Sequence, residues 1–249
     1  MKIRSNIANY ITCLNLLCGS IAIYYLFQRD FMTAVYLVLA AAVFDFADGF
    51  VARLLHVKSP LGVQLDSLAD MISFGLVPGV AMFQLLNMSM HIWNFGLPSF
   101  TPFIAFIIPV FSAWRLAKFN IDERQTDHFI GLPTPANALV IMSFLPVASH
   151  KLQSPLFPYH DYLFYLVTHP FVLIAATLSL SYLLVSNIPL IAMKFKSFTW
   201  KENRIRYIFI ITSLVLILLF YFVAIPFIII LYIVLSLIDY YNKSKQQTT

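Results

Sequence analysis

The chain has 249 residues, of which 60% are hydrophobic and only 11% are charged, and its formal net charge is +5. Its mean hydropathy is +0.82, whereas a soluble domain carries about 25% charged residues. These values exclude a water-soluble globule, because so much apolar surface needs lipid as its solvent. The basic residues form no contiguous face, so we expect no nucleic-acid partner.

Apolar stretches long enough to cross a bilayer recur along the whole chain. We therefore predict a single all-α polytopic membrane domain over residues 1–249, built as a bundle of about eight transmembrane helices. The predicted spans are roughly 7–27, 31–53, 66–86, 100–118, 134–149, 162–187, 207–223 and 225–241. The last two form a hairpin over residues 207–241.

Prolines inside these spans are expected to kink the helices, and they stand at positions 78, 109, 146, 170 and 226. The polar N-terminal residues 1–6 carry no signal-peptide cleavage pattern, so we expect the first span to be retained.

The basic residues predict the orientation of the bundle. With eight spans, 14 of the 16 lysines and arginines fall at the two termini or in connections on the same side of the membrane. Only Arg29 and Lys151 fall on the opposite side. The positive-inside bias therefore puts both termini in the cytoplasm. We expect an integral protein of a bacterial inner membrane.

Four aspartates lie within or at the ends of the second and third spans. Asp45 and Asp48 are three residues apart, and Asp66 and Asp70 are four apart, so each pair shares one helix face. Carboxylates at membrane depth cost several kcal/mol unless they are paired or bind metal, so each is a candidate functional residue. Both pairs are expected to meet at the cytoplasmic end of the bundle.

Converging carboxylates without comparable basic residues repel one another unless cations lie between them. Oxygen ligands favour Mg²⁺, Mn²⁺ or Ca²⁺, and two such ions are a common device for phosphoryl transfer. Gly49 and Ala52 leave room on the same face, and Arg53 is suited to phosphate. The alternatives are structural ion pairs and a proton- or metal-coupled transporter, which would need acids near the bilayer midplane.

The fixed residues of this segment form a recognisable pattern. They are Asp45-x-x-Asp48-Gly49-x-x-Ala52-Arg53 and, after eight residues, Gly62-x-x-x-Asp66-x-x-x-Asp70. The pattern over residues 45–70 resembles the signature of the CDP-alcohol phosphotransferase family at every fixed position. The resemblance implies a membrane helix bundle, commonly a homodimer, with a site open to the cytoplasm and to lipid.

Flanking residues resemble the phosphatidylserine synthase branch of that family over about residues 5–190. The similar segments are Asn9-x-x-Thr12-x-x-Asn15-x-x-x-Gly19, Asp70-Met-Ile-Ser73-Phe-Gly75, Arg115-Leu-Ala-Lys118-Phe-Asn120 and Gly131-Leu-Pro. The resemblance implies transfer of a phosphatidyl group from CDP-diacylglycerol to L-serine, giving phosphatidylserine and CMP. Glycerol 3-phosphate, inositol and choline remain alternative acceptors.

The resemblance also implies roles for individual residues. Two divalent ions, Mg²⁺ or Mn²⁺, would be held by Asp45, Asp48, Asp66 and Asp70, and Asp70 would also act as the catalytic base. The expected CDP-lipid contacts are Thr12, Asn15, Gly49, Ala52, Arg53 and Gly62. The expected acceptor contacts are Ser73, Arg115 and Asn120.

Overall fold

The computed structural model describes residues 2–56, 59–121, 128–149, 160–191 and 199–247. The chain begins with a helical hairpin, α1 (Lys2–Phe27) and α2 (Phe31–Leu54), which pack along each other. Asp30 caps the start of α2, because its carboxylate accepts a hydrogen bond from the Thr33 backbone N–H at 3.4 Å and another from the Thr33 hydroxyl at 2.7 Å.

The remaining elements follow in chain order. They are α3 (Pro60–Asp70), a π-helical segment (Met71–Leu76), α4 (Val77–Trp93), a 3₁₀ helix (Thr101–Phe106), α5 (Ile107–Ile121), β1 (His128–Ile130), α6 (Thr134–Ala148), α7 (His160–Thr168), α8 (Pro170–Val185), β2 (Pro189–Ile191), α9 (Trp200–Phe220), a 3₁₀ turn (Tyr221–Val223) and α10 (Ala224–Gln247). The all-α prediction is confirmed, with one small addition. Strands β1 and β2 form an antiparallel pair of three residues each.

Among the described residues, five helical stretches are long and apolar enough to cross a membrane, and a sixth qualifies if a bent pair of helices is one span. The polytopic prediction is therefore confirmed. The sixth predicted span is that bent pair, because the chain turns by 64° between Asp161–Thr168 and Pro170–Val185. Pro170 stands at the start of the second helix, where its missing N–H costs nothing.

Two other predicted spans differ from a simple crossing helix. The fifth corresponds to α6, whose 15 residues are about 22 Å long, less than the roughly 30 Å hydrocarbon core. The seventh and eighth lie in one apolar stretch, Asn203–Tyr241. That stretch divides at Tyr221, whose φ is +48°, and the rings of Phe209 and Tyr232 then lie 5.4 Å apart. Helices α9 and α10 therefore pack against each other.

The third predicted span began too late in the chain. Helix α3 begins at Pro60, and Ser59 caps it by accepting a hydrogen bond from the Gly62 N–H at 2.9 Å. The polar residues in this first part of α3 lower its hydropathy, so the predicted span did not include it. As a result, Asp66 lies inside a helix and has a full turn of helix before it.

The continuous helical stretch Pro60–Trp93 runs through the centre of the bundle. Of the 18 residues in its apolar part, 61% are buried, against 28% in each of the first two spans and 6% in the C-terminal stretch. Its π-helical segment is marked by a hydrogen bond from the Val77 N–H to the Ile72 carbonyl. Ser73, Phe74 and Gly75 in this segment are buried against neighbouring helices.

Helix α1 packs very closely against this segment. A Cβ atom added to Gly19 would lie 2.8 Å from the Cα atom of Ser73, which is closer than side-chain carbons approach. The Ser73 hydroxyl also donates a hydrogen bond to the Asn15 carbonyl at 3.0 Å. These contacts fix α1 against the helix that carries Asp66 and Asp70.

Strand β2 is joined to the C-terminal hairpin by side chains of α10. The Ser236 hydroxyl accepts a hydrogen bond from the Ile191 N–H at 3.1 Å, and the Tyr232 hydroxyl donates one to the Ile191 carbonyl at 2.7 Å. Five of the basic residues used for the orientation prediction lie outside the described residues: Lys58, Arg124, Lys151, Lys194 and Lys196.

Candidate active site

Three of the predicted metal ligands converge where α2 meets α3. Asp45, Asp48 and Asp66 each offer a carboxylate oxygen, and these oxygens all lie within 4.8 Å of one another. The helical spacing explains the pairing on α2, and the packing of α1 against both α2 and α3 brings Asp66 to the same place. Such an all-carboxylate set fits a hard divalent cation, so the cluster could hold a metal ion.

Asp70 continues this cluster towards the interior. Its side chain contacts that of Asp45, and one of its oxygens accepts a hydrogen bond from the Asn15 amide at 3.3 Å. Asp70 also lies close enough to Arg115 for electrostatic attraction. It therefore stands between the carboxylate cluster on one side and a buried cation on the other.

Helix α1 contributes a second polar contact to the cluster. The Thr12 hydroxyl donates a hydrogen bond to Asp48 at 2.6 Å. Thr12 and Asp48 are only 3% and 6% exposed, so this contact is shielded from solvent. Together, Thr12 and Asn15 orient one carboxylate from each aspartate pair.

A pocket of about 150 Å³ opens beside the carboxylates, between α1, α2 and α3. Asp48 and Asp66 form part of its wall. The other residues lining it are Ala8, Asn9, Thr12, Gly49, Ala52, Ser59, Gly62 and Val63. Small side chains leave this space open, and the cluster supplies charge at one side of it.

Four of the six predicted CDP-lipid contacts line this pocket: Thr12, Gly49, Ala52 and Gly62. Asn15 lies deeper, against Asp70. Arg53 is exposed, and its guanidinium lies 3.4 Å from the position of a Cβ atom added to Gly49. Its long side chain is thus at the rim of the pocket, where a phosphate group could be contacted.

The three predicted acceptor contacts lie in different places. Ser73 is fully buried in the contact between α1 and the π-helical segment. Arg115 is 8% exposed, close to Asp70, and donates a hydrogen bond to the Thr134 hydroxyl at 3.2 Å. Asn120 is exposed and donates a hydrogen bond to the Ser67 hydroxyl at 2.8 Å, on the outer side of α3.

Some residues of the pocket were not predicted as site residues. Ser59 and Asn9 approach Gly62, since a Cβ atom there would lie 2.9 Å from the Ser59 oxygen and 3.0 Å from the Asn9 oxygen. Asn9 is the first of the polar residues that recur at three-residue spacing in α1. This pattern could have predicted it as a site residue. Ser59 lines the pocket because helix α3 begins at Pro60. Hydropathy did not predict this helix start.

The four carboxylates and the pocket lined by small residues agree with the comparison to known proteins. The family model described as CDP-alcohol phosphatidyltransferase matches residues 5–183, which include all four aspartates. The chain belongs to this family. The matched region covers the helices that build the site and ends before the C-terminal hairpin of α9 and α10.

Several relatives within the family carry the same name, CDP-diacylglycerol–serine O-phosphatidyltransferase. The protein from Helicobacter pylori is 36% identical over 136 residues, which are 54% of this chain and 54% of the relative. The Bacillus subtilis protein is 31% identical over 186 residues, 72% of this chain and 89% of the relative. The Methanocaldococcus jannaschii protein is 33% identical over 146 residues, 59% of this chain and 63% of the relative.

The extent of these matches differs. The chain spans about half the length of the Helicobacter relatives that it matches. It spans most of the length of the Bacillus protein.

Proposed function

We propose that the chain is a CDP-diacylglycerol–serine O-phosphatidyltransferase. It would transfer the phosphatidyl group of CDP-diacylglycerol to the hydroxyl group of L-serine, giving phosphatidylserine and CMP. The observation that carries this proposal is the open pocket beside the clustered carboxylates of Asp45, Asp48 and Asp66. The names of the relatives support serine as the acceptor.

Two divalent cations, Mg²⁺ or Mn²⁺, fit the donor set of this site. Asp45, Asp48 and Asp66 would hold them, and Asp70 would complete the set through its contact with Asp45. When bound, these ions supply charge that neutralises the pyrophosphate and stabilises the departing CMP. The hydrogen bond from Thr12 holds Asp48 in position before any ligand arrives.

The pocket is proposed to receive the cytidine diphosphate part of the lipid substrate. Gly49, Ala52 and Gly62 leave space for the pyrophosphate to approach the helix backbones. Arg53 at the rim can contact phosphate oxygens, which suit its planar guanidinium. The diacylglycerol chains would then extend into the bilayer along the apolar helix surfaces.

Asp70 is proposed to act as the general base. It would accept the serine hydroxyl proton as the serine oxygen bonds to the phosphatidyl phosphorus and the bond to the CMP oxygen breaks. The Asn15 amide orients this carboxylate by its hydrogen bond. Arg115, close to Asp70, would bind the serine carboxylate. Ser73 would act by holding α1 in place, and Asn120 by tethering α5 to α3.

The protein is proposed to lie in a bacterial inner membrane as a homodimer, with its termini and active site in the cytoplasm. Arg53 lies at the end of α2 nearest the carboxylates, in agreement with the positive-inside bias. An aromatic group of Trp93, Phe95 and Phe171 lies at the far end of α4, as is common at a membrane interface.

The decisive experiment measures CMP release from CDP-diacylglycerol by purified protein in the presence of Mg²⁺ or Mn²⁺. Labelled L-serine, glycerol 3-phosphate, inositol and choline are offered separately. We expect CMP release that depends on serine and stops when EDTA removes the metal. Release that depends on another acceptor would assign a different reaction within the family, and an absence of release with all four would contradict transferase activity.

A further inference from the structure

A buried polar cluster lies on the interior side of Asp70, away from the pocket proposed for the cytidine diphosphate. Its members are Asn15, Asp70, Arg115, Thr134 and Asn137. Asn15 contacts Asp70, Asp70 attracts Arg115, and Arg115 donates a hydrogen bond to Thr134. Asn137 follows Thr134 by three residues in α6, so both side chains project from the same face of that helix.

Several polar atoms of this cluster have no hydrogen-bond partner among the described residues. They are Oδ1 of Asn15, Nε of Arg115, and both Nδ2 and Oδ1 of Asn137. Asn15 and Asn137 are 0% exposed and Arg115 is 8% exposed. Leaving such a buried group unpaired costs about 1–3 kcal/mol, so four unpaired atoms on residues linked in this way indicate a polar ligand.

The unpaired atoms have a definite chemical pattern. Arg115 Nε and Asn137 Nδ2 are donors, and Arg115 carries a positive charge. Asn137 Oδ1 and Asn15 Oδ1 are acceptors. A ligand that satisfies both kinds needs an anionic group that accepts hydrogen bonds and, a short distance away, a cationic group that donates them. An amino acid zwitterion has these two groups on one carbon atom.

We propose that Asn137 is a specificity-determining residue that recognises the α-amino and α-carboxylate groups of the acceptor, together with Arg115 and Asn15. This inference rests on the proposed function, because it takes the acceptor to be an amino acid. Bound in this way, the acceptor would present its side-chain hydroxyl to Asp70, which lies between Asn15 and Arg115. Alcohols without both charged groups would leave buried polar atoms unpaired and would be rejected.

The cavity of about 10 Å³ that Arg115 lines is bounded by residues of α5, β1 and the end of α8, and not by Asn15 or Asn137. The acceptor would therefore have to move side chains to reach these two asparagines. A water molecule that pairs with the unpaired atoms is the competing explanation, and it predicts no link between Asn137 and serine.

The test is Asn137→Leu, which keeps a similar volume but removes both unpaired groups. If Asn137 only filled space or bound water, an apolar side chain would leave serine use unchanged. We expect instead that the KM for serine rises at least tenfold, while the KM for CDP-diacylglycerol stays within twofold and thermal stability is not lowered. An unchanged KM for serine would overturn the inference.

The matched control is Ser89→Ala. Ser89 is also fully buried with an unpaired hydroxyl, but it lies in α4, about 28 Å along the helix from Asp70. We expect this variant to keep the wild-type KM for serine. An equal rise in KM for both variants would mean that loss of any buried polar group disturbs the enzyme, and it would refute a specific role for Asn137.

A second test uses the wild-type protein and needs no variant to fold. Ethanolamine lacks the carboxylate of serine, and 3-hydroxypropanoate lacks its amino group. We expect kcat/KM for each to be at least 100-fold below that for serine. Comparable use of either analogue would overturn the zwitterion site while leaving serine transfer intact, whereas failure of serine itself would overturn the proposed function.

Discussion

Four carboxylates in two consecutive membrane helices set the chemistry of the site at the scale of single residues. A charged side chain at the bilayer centre costs about 3 kcal/mol, so such residues persist where they bind ions or line a site. Here the oxygens of Asp45, Asp48 and Asp66 lie within 4.8 Å of one another. Divalent cations would relieve the repulsion at this distance, so we expect the carboxylates to be sensitive to conservative substitution.

We expect Asp45→Asn or Asp66→Asn to lower turnover at least 100-fold, because each change removes an anionic ligand without changing side-chain size. The protein should still insert into membranes, since only charge is lost. The measurement is CMP release, with Mn²⁺ binding followed by electron paramagnetic resonance. Asp161→Asn, which changes an exposed acid of α7, is the control and should keep activity within twofold. Wild-type turnover in either site variant would refute the metal assignment.

A separate outcome is expected for Asp70→Asn. This residue lies between Asn15 and Arg115, and its proposed role is to accept a proton. The variant should still bind Mn²⁺ and CDP-diacylglycerol, because the three clustered aspartates are unchanged. Its turnover should fall at least 100-fold. If turnover persists, or if metal binding is lost together with turnover, Asp70 is not primarily a base.

The aspartates could be predicted from the sequence because their spacing follows the helix period and their charge is anomalous in a membrane. The pocket residues Thr12, Gly49, Ala52 and Gly62 could be predicted from the family resemblance. Asn137 was not predicted as a site residue, because nothing in the sequence shows that its side chain is buried without a hydrogen-bond partner. Its burial becomes visible only when the helices are packed.

At the scale of helices, the site depends on how α1 meets the stretch from Pro60 to Trp93. Gly19 allows the Cα of Ser73 to approach within 2.8 Å of the place where a Cβ atom would stand. The same contact region carries Asn15, which reaches Asp70. A substitution that separates the two helices would therefore also displace Asn15.

We expect Gly19→Ala to lower the thermal unfolding temperature and reduce activity several-fold, because the added methyl group overlaps the backbone of the π-helical segment. Overpacking of this kind costs about 1–3 kcal/mol. The measurement is thermal unfolding in detergent, alongside CMP release. Ser20→Ala changes the next, exposed residue of α1 and serves as the control. Wild-type stability in Gly19→Ala would show that the helices separate without cost.

Helix ends were harder to predict than helix existence. The start of α3 at Pro60 depends on the cap at Ser59, and hydropathy alone placed it six residues later. The bend at Pro170 was predicted from the proline, but its angle of 64° was not. The π-helical segment had no signal in the sequence, since it follows from packing against α1 and α5.

At the scale of the whole molecule, the chain is a helix bundle in which the clustered aspartates lie beside an open pocket. A transporter would need acidic residues near the midplane with access from both sides. The three clustered aspartates lie instead in the C-terminal half of α2 and inside α3, beside a pocket between α1, α2 and α3. This arrangement favours a transferase over a transporter.

The predicted orientation can be tested by single cysteines in a background where Cys13 and Cys18 are alanine. We expect a membrane-impermeant maleimide to label Ser99→Cys in intact bacteria, because this exposed position follows α4 at the end away from the site. His56→Cys, which follows α2 at the site end, should be labelled only after permeabilisation. The reverse pattern would invert the topology and place the active site outside.

The π-helical segment between Asp70 and Val77 also sets the rotational phase of the central helix. A hydrogen bond from Val77 to Ile72 encloses one more residue than an α-helical turn does. Deleting that residue would turn one half of the helix by about 100° relative to the other. Either the carboxylates would then turn away from the site, or the buried face of α4 would turn away from the neighbouring helices. Insertions and deletions in homologous chains should therefore fall in the loops and avoid these few residues.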